Sequence, residues 1–395
     1  MQIDSWIGRS SIVATLLCAS VALAGCGCVM SVDTTTEDLA TSESTEALAA
    51  RAPSGGAAWS TIAPMNVARR DPTATLLRDG RVLVVGGTSG SSSKTKERSA
   101  EIFHPATRTW SPVAPANFPH PSSTATLLED GRVLVAGDAG PEGTLAVEIY
   151  DPTIGTWTGA HLATAARNQH ATARLSDGRV LLAGGHDGSA ALDRAYLFDP
   201  VTKNWVGTGE MNQARSQLTL TLLEDGRVLA AGGATDDGRS AELFDPKAGT
   251  WTLTSSMARR RAGHAAARLQ GGKVLVVGGG HTDPWSAEIF DPATGAWTAA
   301  APRYFMGSLP RAATLHDGKV LVTSGAHGAE LYDPRANTWT LLDNMTLAHG
   351  AHAMTLLRCG EALVIGGGSW TSSVNHAELL TGLDDTSCAA AGGAL

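Results

Sequence analysis

Nine residues constrain this chain more than any other feature. DGRVLVVGG at 79 to 87 returns as DGRVLVAGD at 130, DGRVLLAGG at 177, DGRVLAAGG at 225, GGKVLVVGG at 271, DGKVLVTSG at 317 and CGEALVIGG at 359. A 395-residue chain would suggest two or three domains on length alone. Internal repetition overrides that reading, because stacked copies of one unit share a continuous core that no single copy can bury.

Each copy divides into four strands. An alternating run such as TATLL (73 to 77) or TLTLL (219 to 223) leads to an Asp-Gly turn, a strong hairpin signal. An apolar strand, RVLVV in the first copy, follows and stops at Gly-Gly. A loop of variable length leads to a third strand such as AELFDP, then a Pro-containing turn, a Trp and a short fourth strand. Continuous apolar strands call for burial on both faces. A sheet sandwiched between copies of itself provides that. The 45 glycines and the low charged fraction, 17%, suit many short strands joined by tight turns.

The spacing is rigid. From Trp59, Trp110, Trp157, Trp205, Trp251, Trp297 and Trp339 to the next hairpin glycine the count is always 21. Only the segment after Gly-Gly changes length. The last copy stops at HAELLTG, 376 to 382, without Asp-Pro or Trp, whereas WSTIAPM at 59 to 65 is an orphan fourth strand. The N-terminal strand is therefore expected to complete the seventh blade of a closed ring, which leaves no exposed inner edge. The seven Trp, and Tyr150, Tyr196 and Tyr332 near the ends of third strands, read as packing residues, with the tyrosines in the place of Phe. The third-strand Glu of six copies (101, 148, 242, 288, 330, 378) reads as a repeated ion pair or turn contact.

The hairpin Asp-Gly, the Gly-Gly strand end, the DP-to-Trp spacing and the R..H before the first strand (Arg167 with His170, Arg261 with His264) resemble kelch repeats over residues 59 to 382. The resemblance implies an all-β, seven-bladed β-propeller. It does not name a function, since kelch propellers include scaffolds, adaptors and enzymes.

Outside the ring, residues 1 to 25 read as a signal peptide: Arg9, then the apolar run IVATLLCASVALA, then LAGC, which resembles a bacterial lipobox with Cys26 as the lipidated residue. Residues 26 to 58, rich in Thr, Ser, Glu and Ala, read as a disordered tether, and 383 to 395 as a C-terminal tail. An exported, envelope-bound protein meets oxidising conditions. Cys359, in place of the hairpin Asp, and Cys388, in the tail that emerges at the same edge of the last blade, are expected to form a disulfide.

Eleven residues before each hairpin glycine stand Arg69, His120, Arg167, Arg215, Arg261, Gly307 and His349. In a chain of net charge -8 this column reads as a ring of positive charge at the channel mouth, suited to an acidic sugar or acidic peptide segment. Arginines in that place grip acidic peptides in kelch-domain adaptors, so the resemblance points the same way. Trp285 and Trp370, additional to the seven, lie in variable loops and are candidates for stacking on a glycan. His170, His264 and His352 share a column that reads as packing.

No basic block with interleaved aromatics suggests nucleic acid. No His–Cys spacing suggests zinc, and neither a sialidase box nor a G-x-S-x-G elbow occurs. Copper-radical galactose oxidases share the kelch propeller, but their two Tyr, two His and cross-linking Cys find no match here beyond Tyr304. No metal or cofactor is therefore expected. The expected function is a monomeric, membrane-tethered, non-enzymatic binding module for a protein or glycan. The alternative is a small-sugar enzyme similar to the kelch-type sialic-acid epimerase (mutarotase), acting in the channel.

Overall fold

A computed structural model describes residues 56–383, apart from 91–94, 140–142, 161, 235–236, 281–282, 306–308, 326, 359 and 370. Among these residues every regular element is a strand. Six antiparallel sheets follow chain order: blade one (73–113), two (124–159), three (171–207), four (219–253), five (265–299) and six (311–341). Blade two carries an extra strand, Leu162–Ala165, on its third strand. Blade seven joins three C-terminal strands to Ala58–Thr61, with Ala58 opposite Thr381 and Thr61 opposite Glu378. The expected closure is present. The innermost strands touch their neighbours in cyclic order, the last against the first.

The core is a ring of interfaces rather than one centre. The second strands, Val82–Val85 and its equivalents, are buried on both faces. Each blade-to-blade boundary has its own apolar cluster; at the seam, Val82, Val84 and Phe103 of blade one meet Leu363, Ile365 and Leu379 of blade seven. Burying one such side chain contributes roughly 1.5–3 kcal/mol, so closure of the ring is favoured at every boundary.

Three repeated devices lock neighbouring blades. Every blade Trp donates its indole N–H to a carbonyl of the preceding blade's exit, from Trp110 to Ala63 at 2.8 Å through Trp59 to Asp343 at 2.9 Å. In six blades that Trp also packs on a third-strand Phe or Tyr, with ring centroids 4.8–5.0 Å apart. The tryptophans are structural.

The second device explains Gly-Gly. Gly184 has φ +68°, and a Cβ there would sit 2.5 Å from the Arg215 carbonyl oxygen of the next blade. That same oxygen accepts the N–H of Gly185 at 2.8 Å. Only glycine permits this approach.

The third device lies on the face carrying the Asp-Gly and Asp-Pro turns, here the lower face. Arg81 donates to Pro152 O at 3.4 Å, and Arg132, Arg179 and Arg227 reach Pro200, Pro246 and Pro292 at 3.2–3.3 Å. Each of these arginines also holds the Asp of its own hairpin.

Candidate functional site

The column expected to form a positive ring lies at the upper face, where the variable loops and the inter-blade connections meet. Its side chains are not open to a ligand. Arg69, Arg215 and Arg261 are fully buried, as are His120 and His349, and Arg167 is 2% exposed. Arg69 pairs with Glu101 at 3.2 Å, Arg215 with Glu242 at 2.9 Å and Arg261 with Glu288 at 3.0 Å. The same guanidiniums donate to backbone carbonyls, as Arg215 does to Gly232 at 2.8 Å and Ser240 at 2.9 Å. Burial pulls their pKa values below the usual arginine value, and the paired Glu opposes it. The open ring is thus corrected to a set of buried ion pairs. A cation desolvated here needs an internal counter-charge.

The third-strand Glu is the hub of each pair. Glu242 also accepts the backbone N–H groups of Asn212 at 2.7 Å and Gln213 at 3.1 Å, which fixes the connection from the preceding blade. Glu101, Glu148, Glu288, Glu330 and Glu378 do the same for their own connections. In blade two His120 Nε2 stands 3.1 Å from Glu148. Burial pushes the Glu148 carboxyl up, but hydrogen bonds from His120 and from Asn117 and Phe118 outweigh it and hold it below the usual range. In blade seven His349 Nε2 is 3.7 Å from Glu378.

Two hubs depart from the repeat in ways the sequence reading missed. Tyr196 does not stand in the Phe column. It pairs with Leu182 and Gly207, the register of the hub Glu, and its hydroxyl is 3.0 Å from Thr164 Oγ1. Arg167 accordingly makes no ion pair with a carboxylate among the described residues; it donates to Thr164 at 3.1 Å and Gly184 at 3.0 Å and lies over the Tyr196 ring at 5.3 Å. In blade six, Gly307 lies outside the described residues, and the cation comes from Arg303, 2.9 Å from Glu330. The signal was in the sequence: fifteen residues before the hairpin glycine, other copies have Met65, Met211, Met257 and Met345, and blade six has Arg303.

His170 and His264 bond to Thr124 and Thr219 of the preceding blade at 3.0 and 2.9 Å, and His352 to Thr323 at 2.7 Å. Burial first, and a nearby Arg second, push all three down to about 3. They are neutral packing residues that also tie one blade to the next.

What remains accessible at the upper face is different in kind. Arg311, at the start of the blade-six inner strand, reaches past blade seven to Asp71 of blade one at 3.4 Å. Asp71 leans over blade seven with φ +55° and its N–H on Ala351 O at 2.8 Å. The upper channel mouth therefore carries an ion pair and not one sign of charge. Trp285 is 42% exposed and Tyr304 44%, and they are the two exposed aromatic residues among those described. The Arg303 N–H donates to Trp285 O at 2.9 Å, which sets Tyr304 next to the Trp285 loop. Asp283 in that loop pairs with Arg259 at 3.2 Å. Trp370, Cys26, Cys359 and Cys388 lie outside the described residues.

Comparison with known proteins gives matches of two kinds. A family model described as the Kelch motif matches residues 69–117 and 167–212, each running from a hub Arg of one blade into the connection to the next. Among solved structures, a fungal alcohol oxidase of the AA5 family in complex with copper superposes with a TM-score of 0.69 at 17% identity, covering 82% of this chain and 76% of that one. At that identity the likeness shows the fold alone. No curated protein matches. The residues do not fit a copper site of that kind: Tyr150 and Tyr332 are buried against Trp157 and Trp339, and Tyr196 is held by Thr164. No group of three or more His, Cys, Asp or Glu among the described residues is placed to hold a metal.

Proposed function

We propose that this chain, a seven-bladed propeller of kelch repeats, works as a binding module whose ligand is a glycan held at the upper face of blades five and six. The observation that carries the reading is that Trp285 and Tyr304 are both exposed, on two loops joined by the Arg303–Trp285 backbone bond. A flat aromatic face left in water is suited to the apolar face of a pyranose, and the Arg259–Asp283 pair offers hydrogen-bonding groups beside it. Trp370 of blade seven is a further stacking candidate from the sequence. The mutarotase alternative asks for Arg, His and Glu at the channel mouth, and in the repeated columns those residue types are engaged in buried hubs. The module is exported and held at the cell envelope through Cys26 and the tether that precedes the Ala58–Thr61 strand.

A glycan array tests the ligand. The wild type should bind a defined set of sugars, and Trp285→Ala/Tyr304→Ala should lose it with an unchanged unfolding midpoint. Identical array profiles would remove the site. Membrane fractionation of Cys26→Ala tests the anchor: the variant should become soluble, and a wild type already soluble would end that part of the reading.

A further inference from the structure

The fourth strand of blade seven is attached differently from the other six. In blade six a turn of four residues joins the third strand, Ala329–Asp333, to the fourth, Thr338–Leu341. In that turn Asp333 accepts the Arg335 N–H at 2.8 Å, and the Tyr332 hydroxyl donates to Asn337 at 2.9 Å. In blade seven the third strand is Ala377–Thr381 and the fourth is Ala58–Thr61, so no turn joins them. The backbone ladder is the same length, four pairs in each blade. A short turn keeps a detached strand close to its partner, which favours its return. Ala58–Thr61 has no such turn and continues into the ring only through Ile62.

The side-chain locks are also weaker in this blade. Trp59 lies opposite Leu380, where the other six blade Trp pack on a Phe or Tyr. Such aromatic pairs stabilise beyond their buried area. Glu361 stands where blades one to four have the arginine that reaches the next Asp-Pro turn, and lies 3.9 Å from Arg108. His349 is 3.7 Å from Glu378, against 2.9–3.2 Å in the four Arg hubs. The segment that follows the strand is held firmly. Ile62, Met65 and Arg69 donate to the carbonyls of Ala377, Asn375 and Val374 at 3.0, 2.8 and 2.9 Å, and Met65 is buried. An opening that starts at Ala58 therefore stops at Ile62, and the seam cluster of Val82, Phe103, Ile365 and Leu379 keeps the ring closed.

We propose that Ala58–Thr61 is a clasp: it leaves blade seven as a unit, and the edge it uncovers takes up an extended segment of another polypeptide. The uncovered edge of Ala377–Thr381 presents the row of backbone N–H and C=O groups to which an added strand pairs. The vacated slot also selects. The Asp343 carbonyl accepts the Trp59 indole N–H at 2.9 Å, and Leu315, Leu342, Ala362 and Leu380 form the apolar cluster on which Trp59 packs. The partner is therefore an extended segment with a Trp among small residues, as in AWST itself. The clasp is on the outer rim of blade seven and does not depend on the aromatic residues of blades five and six.

Hydrogen exchange on the full chain, and capture of a fluorescent peptide of residues 56–65, test the two halves. Amides of Ala58–Thr61 should exchange roughly tenfold or more faster than those of Thr338–Leu341. Leu380→Phe, which supplies the missing aromatic partner, should slow that exchange. Trp59→Ala should speed it and leave the protection of the blade-six strands unchanged. The wild type should capture the peptide slowly and Trp59→Ala about tenfold faster, as expected when opening of the clasp limits the rate. The same peptide carrying Trp59→Ala should not be captured. Equal exchange in the two fourth strands, exchange of blades six and seven together, or no capture by the Trp59→Ala protein would overturn the clasp.

Discussion

Arg303 Nε lies 2.9 Å from Glu330 Oε2, in a blade whose cation comes from a different place in the chain than in its neighbours. In blades one, four and five the hub arginine stands eleven residues before the hairpin glycine; Arg303 stands fifteen before Gly318. It enters from a slot where other blades place a buried Met, and its guanidinium lies over the Trp339 ring at 5.6 Å. The ion pair is kept although its sequence position is not. In blades one, four, five and six alike, a Glu already committed to two backbone N–H groups keeps a buried arginine as its counter-charge.

Arg303→Met should show this. Met fits the slot by volume, so the cost comes from leaving Glu330 buried with only the N–H groups of Tyr304 and Phe305. Breaking a buried pair on one side costs about 3–5 kcal/mol. Urea unfolding should show a large fall in midpoint, and Arg303→Met/Glu330→Gln should recover part of it. A double variant as unstable as the sum of the singles would mean the two groups act separately.

The strands, the ring and its closure were legible in the sequence because they rest on spacing, and spacing survives substitution. The hub was half legible. The Glu column pointed to a repeated contact, but a column of Arg and His reads as open charge until burial is known. Whether Arg215 faces the channel or Glu242 depends on a rotamer, and no periodicity encodes that. Tyr196 was misplaced because a Tyr in a third strand looks like the Phe column, and only the register against Leu182 and Gly207 moves it. Tyr304 was noticed as a free tyrosine, but its nearness to Trp285 comes from a backbone bond between two loops.

Two glycines of one loop should separate conformational strain from steric conflict. Gly184 and Gly188 both have positive φ, +68° and +103°. A Cβ at Gly188 meets nothing within 4 Å, so Gly188→Ala should cost only the backbone term, about 1–2 kcal/mol. At Gly184 the same methyl meets the Arg215 carbonyl at 2.5 Å and Leu218 at 3.0 Å, and backbone cannot move aside without opening the boundary between blades three and four. Gly184→Ala should lose more than about 3 kcal/mol. Equal losses in chemical unfolding would show that close approach is not what the Gly-Gly pair serves.

The buried histidines set the acid limit of the ring. His170, His264 and His352 are pushed from 6.5 down to about 3 in the folded chain. Unfolded, each takes up a proton near pH 6.5, so below that pH the unfolded state binds more protons than the folded one. Stability is therefore complete above about pH 6.5 and falls as pH drops, until the folded histidines themselves protonate near pH 3. Carboxylates held below their usual range, such as Asp79 and Glu148, add their own loss only at lower pH, below the unfolded carboxylate values. The interval from pH 6.5 to 4.5 therefore belongs to the histidines. His264→Gln keeps a partner for the Thr219 hydroxyl and removes one titrating group. At about 1.4 kcal/mol per pH unit and per proton, the variant should regain roughly 2 kcal/mol on wild type between pH 6.5 and 4.5. Urea midpoints at half-unit steps measure the two slopes; parallel curves over that interval would mean that His264 is not held neutral in the fold.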